Sequence, residues 1–120
     1  MSRSVLILGG SSDIGYQVII DFLNKGWKVI CHFNKNQRQL NRLKRKYADD
    51  LTLIKSNFEK KISLNNFLKK IKKHEISSFI NLVGYIDNVS FSNANLENMK
   101  KCFQINTLVP ILIQKNLIKK

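Results

Sequence analysis

Glycine and serine residues directly follow a short apolar run near the start of the chain. Residues 4–15 read Ser-Val-Leu-Ile-Leu-Gly-Gly-Ser-Ser-Asp-Ile-Gly. In such a turn, backbone N–H groups and the positive end of a following helix can bind a diphosphate, provided that no side chain blocks the approach. The predicted phosphate-binding residues are Gly9, Gly10, Ser11, Ser12, Ile14 and Gly15. A plain tight turn is the alternative, because glycine also serves wherever a chain must reverse.

Apolar patterns of two kinds alternate along the chain around and after this turn. Continuous apolar runs predict buried strands, and amphipathic periods predict helices. The predicted strands are residues 4–8, 28–33, 51–55 and 77–83, and the predicted helices are residues 13–25, 37–48, 62–74 and 96–118. The first helix should bury a stripe formed by Ile14, Val18 and Phe22, with Ile19 and Leu23 beside it. This alternation predicts a doubly wound α/β fold, in which helical crossovers cover both faces of a parallel sheet.

The composition indicates one globular domain with a strong positive charge. The 120 residues include 21 Lys and Arg against 8 Asp and Glu, for a net charge of +13. A basic surface can bind nucleic acid, but these lysines are spread over every helical segment rather than gathered in one patch. We therefore expect no nucleic-acid partner.

Neither a membrane span nor a metal site is expected from the sequence. No apolar stretch approaches the roughly 20 residues that a membrane-spanning helix needs, so we expect no membrane partner. Cys31 and Cys102 are too few and too far apart for a disulfide framework or a zinc site. We expect both to be buried thiols in a protein of the reducing cytoplasm, and we expect no metal.

Three segments resemble the short-chain dehydrogenase/reductase family. Residues 8–15 resemble its fingerprint Thr-Gly-x-x-x-Gly-x-Gly, although Leu8 replaces the threonine and Asp13 replaces the middle glycine. Residues 81–84, Asn-Leu-Val-Gly, resemble its Asn-Asn-Ala-Gly, and residues 104–110 resemble a helix segment in which an asparagine is followed four positions later by a proline. Asp13 is also suited to be the N-cap of the following helix.

This resemblance implies that the chain binds a nicotinamide dinucleotide, which exchanges a hydride with a carbonyl or alcohol substrate. Asn106 matches an asparagine of the family's catalytic group, which holds a proton-relaying water. Asn81 and Gly84 match positions that line the nicotinamide-side ribose. Asn57 matches the position of an aspartate that contacts adenine.

The end of the second predicted strand favours NADP over NAD. NAD binding usually relies on an acidic residue there, about 20 positions beyond the last fingerprint glycine, but residues 23–47 contain no Asp or Glu. Asn34 and Lys35 stand there instead, and Lys35 is placed to pair with a 2′-phosphate. The alternative is that Lys35 and Arg38 are merely exposed in a lysine-rich chain. We interpret His32 as a strand residue, neither a catalyst nor a metal ligand.

The family's catalytic Tyr-x-x-x-Lys is missing, because no lysine stands four positions after Tyr16, Tyr47 or Tyr85. The resemblance covers about the N-terminal half of a family member, so we expect a Rossmann-type sheet of strand order 3-2-1-4, truncated and with residues 77–83 as an uncovered apolar edge. We expect the NADP(H)-binding half of an oxidoreductase, inactive alone. A non-catalytic dinucleotide-binding or regulatory module is the alternative. In the family the helix matching residues 96–118 often packs against a second copy, which leaves a homo-oligomer open.

Overall fold

Four parallel strands form the centre of the fold. The structure is a computed structural model that describes residues 3–118, so the predicted domain of residues 1–120 extends beyond the described part at both ends. The strands are β1 (Ser4–Leu8), β2 (Lys28–Phe33), β3 (Leu51–Lys55) and β4 (Ser78–Asn81). Their order in the sheet is β3-β2-β1-β4, and every neighbouring pair is parallel. The predicted fold class and strand order are confirmed.

Helices follow each strand. They are α1 (Asp13–Asn24), α2 (Arg38–Tyr47), α3 (Lys61–Ile71), α4 (Leu96–Phe103) and α5 (Val109–Leu117). Two short 3₁₀ turns, Ala48–Asp50 and Phe91–Asn93, precede β3 and α4. None of the helices within residues 3–118 has the length and apolarity that a bilayer crossing requires.

Side chains of β1 alternate between the two faces of the sheet and belong to two separate hydrophobic cores. On one face Val5 and Ile7 pack against α1 and α2, and on the other face Leu6 and Leu8 pack against α3 and α5. All four side chains are fully buried. A central strand buried on both faces is what a continuous apolar run predicts for a parallel sheet. The two cores hold the carboxyl end of β1, and therefore the glycine-rich turn that follows it, in a fixed place.

The predicted helix over residues 96–118 is interrupted in its middle. A π-helical segment, Gln104–Leu108, joins α4 to α5, and the Val109 N–H donates to the Gln104 carbonyl, five residues back. Pro110 explains why the regular pattern cannot continue there, because proline has no N–H to donate to the carbonyl of Asn106, four residues earlier. The backbone therefore takes a wider turn just before the proline.

Helix α1 is rotated relative to the predicted stripe. Its buried residues are Gly15, Ile19 and Leu23, whereas Ile14 is 70% exposed, so its placement in the buried stripe was wrong. The cause is the turn itself, because α1 packs its first residues against the backbone of that turn through Gly15. The N-cap of α1 is Ser12, whose Oγ accepts from the Gly15 N–H, and not Asp13 as predicted.

Two further expectations are refined by the structure. Cys31 is buried as predicted, but Cys102 is only half-buried, because it lies on the outer helix α4. Within residues 3–118, β4 pairs with β1 alone and is therefore an edge strand. It covers Ser78–Asn81 and is therefore shorter at both ends than the predicted 77–83.

Candidate functional site

A crevice of about 460 Å³ opens beyond the carboxyl ends of β1, β2 and β4. In open parallel sheets ligands bind at this edge, where the direction of winding reverses. Its volume falls within the range of small-molecule sites in proteins. The lining residues are Gly9, Ser11, Ser12, His32, Asn34, Lys35, Asn36, Glu59, Leu82, Val83, Gly84, Tyr85, Lys101 and Ile105.

The three glycines of the turn are required by the protein's own packing. Gly9 has a φ of +80°, and a Cβ there would lie 3.0 Å from the Leu82 carbonyl carbon. A Cβ on Gly10 would collide with the Cys31 Sγ, and one on Gly15 would collide with the Gly9 carbonyl oxygen. Only glycine therefore lets strand, turn and helix approach so closely. The sequence suggested that side chains are missing here so that a ligand can approach. At these three positions, neighbouring protein atoms occupy the space that a side chain would need.

What the turn offers a ligand is its backbone N–H groups. The N–H groups of Gly10, Ser12 and Gly15 each donate to a protein acceptor, whereas within residues 3–118 those of Ser11, Asp13 and Ile14 have none. Two of the free groups belong to the first turn of α1, where the helix dipole adds positive potential. The turn thus presents three free donors at the positive end of a helix.

His32 lies beneath the turn and connects three strand ends. Its Nδ1 accepts from the Gly9 N–H at 3.2 Å, and its Nε2 lies 2.9 Å from the Ser56 carbonyl oxygen. Its ring stacks on Phe58 with centroids 4.0 Å apart. Burial lowers the pKa of His32 to about 4, against a smaller opposing effect of the Ser56 carbonyl. The imidazole is therefore neutral near pH 7, with its proton on Nε2, where a carbonyl must accept it.

Acid should destabilise the fold through His32. Its folded pKa of about 4 lies below the ordinary value of 6.5, so the unfolded chain binds more protons between these two values. The contribution of neutral His32 to the free energy of unfolding is therefore fully present above pH 6.5. About 3 kcal/mol of it is lost as the pH drops through 4. Urea unfolding across this pH range should show the loss in the wild type and a smaller loss in His32→Asn, which cannot titrate. Equal losses in the two proteins would contradict the assignment.

Charged side chains at the rim give the crevice a positive balance. Lys101 pairs with Glu59 at 2.9 Å and lies 4.1 Å from the ring centroid of Tyr85, and the Glu59 carboxylate raises the pKa of Lys101. Lys35, at the end of β2, is exposed and makes no ion pair within residues 3–118. Since Glu59 is the only acidic residue of the lining and Lys101 neutralises it, Lys35 leaves one uncompensated positive charge.

The π-helical segment is fastened to the loops at the crevice. Asn106 Nδ2 donates to the Tyr85 carbonyl at 2.8 Å, and Asn106 Oδ1 accepts from the Tyr85 N–H at 2.7 Å. Gln104 Nε2 donates to the carbonyls of Phe58 and Glu59 at 2.8 and 3.2 Å. The side-chain amide of Asn106 is thus occupied, whereas its main-chain carbonyl lacks the α-helical donor that a residue other than Pro110 would supply.

Removing the Asn106 side chain should loosen this attachment. We expect Asn106→Ala to lower the free energy of unfolding by about 2 kcal/mol, because two hydrogen bonds to Tyr85 are lost. Asn116→Ala is the matched control, since the one side-chain hydrogen bond of Asn116 within residues 3–118 goes to the Leu112 carbonyl of its own helix and joins no separate segments. It should cost less than about 0.5 kcal/mol. Equal effects in urea denaturation would show that the Tyr85 contacts add nothing.

The sequence-predicted site residues fall into three groups. Those that line the crevice are Gly9, Ser11, Ser12, Asn34, Lys35 and Gly84. Those that shape the turn behind it are Gly10, Ile14 and Gly15. The remaining three, Asn57, Asn81 and Asn106, lie beside the crevice and outside its lining: Asn57 and Asn81 bond to nearby backbone N–H groups, and Asn106 reaches the crevice through Tyr85.

Several lining residues were not found by sequence reasoning. They are His32, Asn36, Glu59, Leu82, Val83, Tyr85, Lys101 and Ile105. His32 was correctly placed in a strand, but its contacts with Gly9 and Ser56 join positions far apart in the chain. Nothing in the sequence distinguishes Glu59 and Lys101 from the many other charged residues of the chain. The only indication in the sequence was proximity, because Leu82, Val83 and Tyr85 lie next to Gly84, which was a predicted site residue.

Comparison with known families agrees with this geometry. The sequence model of a family described as short chain dehydrogenase matches residues 3–120. The chain belongs to the short-chain dehydrogenase family. The predicted resemblance is therefore confirmed over nearly the whole chain, while no curated protein matches it individually.

Solved structures share the fold of this short-chain dehydrogenase chain. A short-chain dehydrogenase from Sphingobium yanoikuyae in complex with NADPH superimposes with a TM-score of 0.84 at 18% identity, covering 96% of this chain and 47% of that one. The NADPH-bound carbonyl reductase from chicken fatty liver gives 0.77 at 22% identity, with 97% and 47% covered. A carbonyl reductase from Pseudomonas aeruginosa PAO1 gives 0.82 at 18%, with 96% and 55% covered. The chain thus spans about half the length of these structures.

Proposed function

We propose that this chain is the NADP(H)-binding half of a short-chain dehydrogenase that reduces a carbonyl or oxidises an alcohol. The observation that carries the proposal is the set of free N–H groups of Ser11, Asp13 and Ile14 at the start of α1. A diphosphate supplies the acceptors that these donors lack, and its negative charge suits the helix N-terminus. Ser11 and Ser12, which line the crevice, add hydroxyl groups beside it.

A preference for NADP over NAD is supported by the charges around the crevice. Lys35 stands at the end of β2 without an acidic partner, and Asn34 and Asn36 beside it are neutral donors. A 2′-phosphate brings charge that Lys35 can neutralise, whereas no carboxylate stands there to accept from a 2′-hydroxyl. Two structural neighbours hold NADPH, which is in keeping with this preference.

Asn81, Gly84 and Asn106 would serve the nicotinamide side of the crevice. The bound dinucleotide supplies the hydride. Gly84 is exposed on the crevice, and a Cβ there would meet only Asn106 Oδ1 at 3.9 Å, so the ribose can approach its backbone. We propose that Asn106 holds a water through its main-chain carbonyl, because its side chain is occupied by Tyr85 and Pro110 provides no N–H. Asn57 would meet the adenine edge through its side-chain Nδ2, which has no acceptor within residues 3–118, since its Oδ1 accepts from the Glu59 N–H and its backbone N–H donates to Ser63 Oγ.

Catalysis by this chain alone is not expected. Its sequence contains no Tyr-x-x-x-Lys, so no general acid with the family's pattern is present. We propose that the chain acts in the cytoplasm and that the carbonyl or alcohol substrate belongs to the complete protein. The same missing motif favours a second candidate, a non-catalytic dinucleotide-binding module. An open reading frame downstream of codon 120 that encodes Tyr-x-x-x-Lys would favour the enzyme, and an immediate stop codon would favour the module.

Calorimetric titration of the 120-residue chain with NADPH and with NADH tests the proposal. We expect one NADPH per chain, with weaker binding of NADH, and no carbonyl turnover in the same sample. The control titrant is inorganic pyrophosphate, which should bind much more weakly than NADPH because it lacks both nucleosides. Absence of heat with both dinucleotides, in a sample whose circular dichroism shows a folded α/β protein, would refute dinucleotide binding.

A further inference from the structure

A continuous chain of hydrogen bonds runs from β3 to the start of α1, and His32 is its central member. The His32 Nε2–H donates to the Ser56 carbonyl, and the Gly9 N–H donates to His32 Nδ1. The Gly9 carbonyl accepts from the Ser12 hydroxyl at 3.1 Å, and Ser12 Oγ accepts from the Gly15 N–H at 3.0 Å. Each bond therefore fixes the donor or acceptor that makes the next one.

The hydrogen-bond partners of His32 allow one tautomer of its ring. His32 is 3% exposed. Its ring stacks on Phe58 and lies edge-on to Phe67, with ring centroids 5.4 Å apart in the second pair. The Ser56 carbonyl can only accept and the Gly9 N–H can only donate, so Nε2 must carry the proton and Nδ1 must not. A residue without an acceptor at the Nδ1 position would leave the half-buried Gly9 N–H without its protein acceptor.

The orientation of Gly9 decides where the free donors of the turn lie. Gly9 holds a φ of +80°, and its two backbone polar groups are used by His32 and by Ser12. If the Gly9 N–H loses its acceptor, the backbone dihedrals of Gly9 are free to change, and the Gly9 carbonyl that accepts from the Ser12 hydroxyl would be reoriented. The free N–H groups of Ser11, Asp13 and Ile14 would then change their positions relative to one another.

We propose that His32 is a positioning residue for the dinucleotide: through Gly9 and Ser12 it holds the free N–H groups of the glycine-rich turn in the arrangement that binds the diphosphate. This inference rests on the proposed function for its ligand, but the hydrogen-bond chain can be tested without one. His32 touches no ligand atom in this role. It acts by keeping the turn preorganised, which lowers the ordering cost of binding.

Three substitutions separate the parts of this role. Asparagine at position 32 places an oxygen near the former Nδ1 and can accept from Gly9. Glutamine reaches toward Ser56 instead, and phenylalanine keeps the stacking on Phe58 but forms neither bond. At about pH 7.5 we expect His32→Phe and His32→Gln to weaken NADP⁺ binding roughly tenfold, and His32→Asn to recover most of that loss. His74→Asn is the control, because His74 is the other histidine of the chain and is exposed, away from the crevice lining.

A second readout needs no ligand. In ¹⁵N–¹H spectra of the 120-residue chain, the His32 ring should carry its proton on Nε2. The backbone amide signals of Gly9, Ser11 and Ile14 should shift in His32→Phe and His32→Gln far more than in His32→Asn. A proton on Nδ1, unchanged amide signals in His32→Phe, or wild-type NADP⁺ affinity in both His32→Phe and His32→Gln would overturn the proposal. If the wild type binds no dinucleotide while the amide signals behave as expected, the proposed function fails, and the positioning of the turn by His32 stands.

Discussion

Gly15→Ala is expected to lower NADPH affinity about 100-fold and the free energy of unfolding by about 3 kcal/mol. The added methyl would lie 2.9 Å from the Gly10 Cα and still closer to the Gly9 carbonyl oxygen. Both are backbone atoms that cannot rotate away, so α1 must separate from the turn. The free N–H groups of the turn and of the helix N-terminus then change their positions relative to one another. Calorimetry and urea denaturation measure the two effects separately.

Gly84→Ala is the matched control for the predicted loss of stability. Gly84 lines the same crevice, but a Cβ there would lie 3.9 Å from Asn106 Oδ1, which is ordinary contact. We expect its free energy of unfolding to change by less than about 0.5 kcal/mol. If Gly15→Ala and Gly84→Ala were equally stable, the close packing of α1 against the turn would not be what position 15 requires.

Lys35→Glu is expected to reverse the choice of dinucleotide. The change replaces a positive charge by a negative one beside the proposed 2′-phosphate, and a carboxylate can accept from a 2′-hydroxyl. We expect NADPH to bind about 100-fold more weakly, and NADH to bind at least as tightly as it does to the wild type. Parallel titrations with the two dinucleotides measure the ratio of their affinities, which is insensitive to small changes in folding.

Lys28→Glu provides the same change of charge at the other end of β2, because β2 begins at Lys28 and ends two residues before Lys35. Lys28 is exposed at the opposite end of the sheet, so its replacement should alter NADPH affinity less than about twofold in physiological salt. If Lys28→Glu weakened NADPH as much as Lys35→Glu does, net charge would be responsible and Lys35 would have no specific role.

Local patterns predicted most of the scaffold. Three strands were predicted with the bounds that the structure gives, because continuous apolar runs such as Ser4–Leu8 are buried on both faces of a parallel sheet. The π-helical segment was not predicted, although Pro110 marked its position. A proline in a helix indicates that one backbone hydrogen bond is missing. The geometry that the helix then adopts depends on the contacts of Gln104 and Asn106 with loops distant in sequence.

The candidate site was predicted only where local patterns identify its residues. The glycine-rich turn and Lys35 are recognisable because they occur at fixed places relative to predicted strands. His32 could not be recognised, since its role depends on hydrogen bonds to Gly9 and Ser56, which lie 23 and 24 positions away. The rotation of α1 that exposes Ile14 was also missed, because helical periodicity alone does not say how closely Gly15 approaches the turn.

A crystal structure of the 120-residue chain with NADPH would test the central claim most directly. The account predicts a diphosphate whose oxygens lie within hydrogen-bond distance of the N–H groups of Ser11, Asp13 and Ile14, with the 2′-phosphate beside Lys35. A dinucleotide bound elsewhere on the chain, or a diphosphate that leaves those three N–H groups without an acceptor, would contradict it.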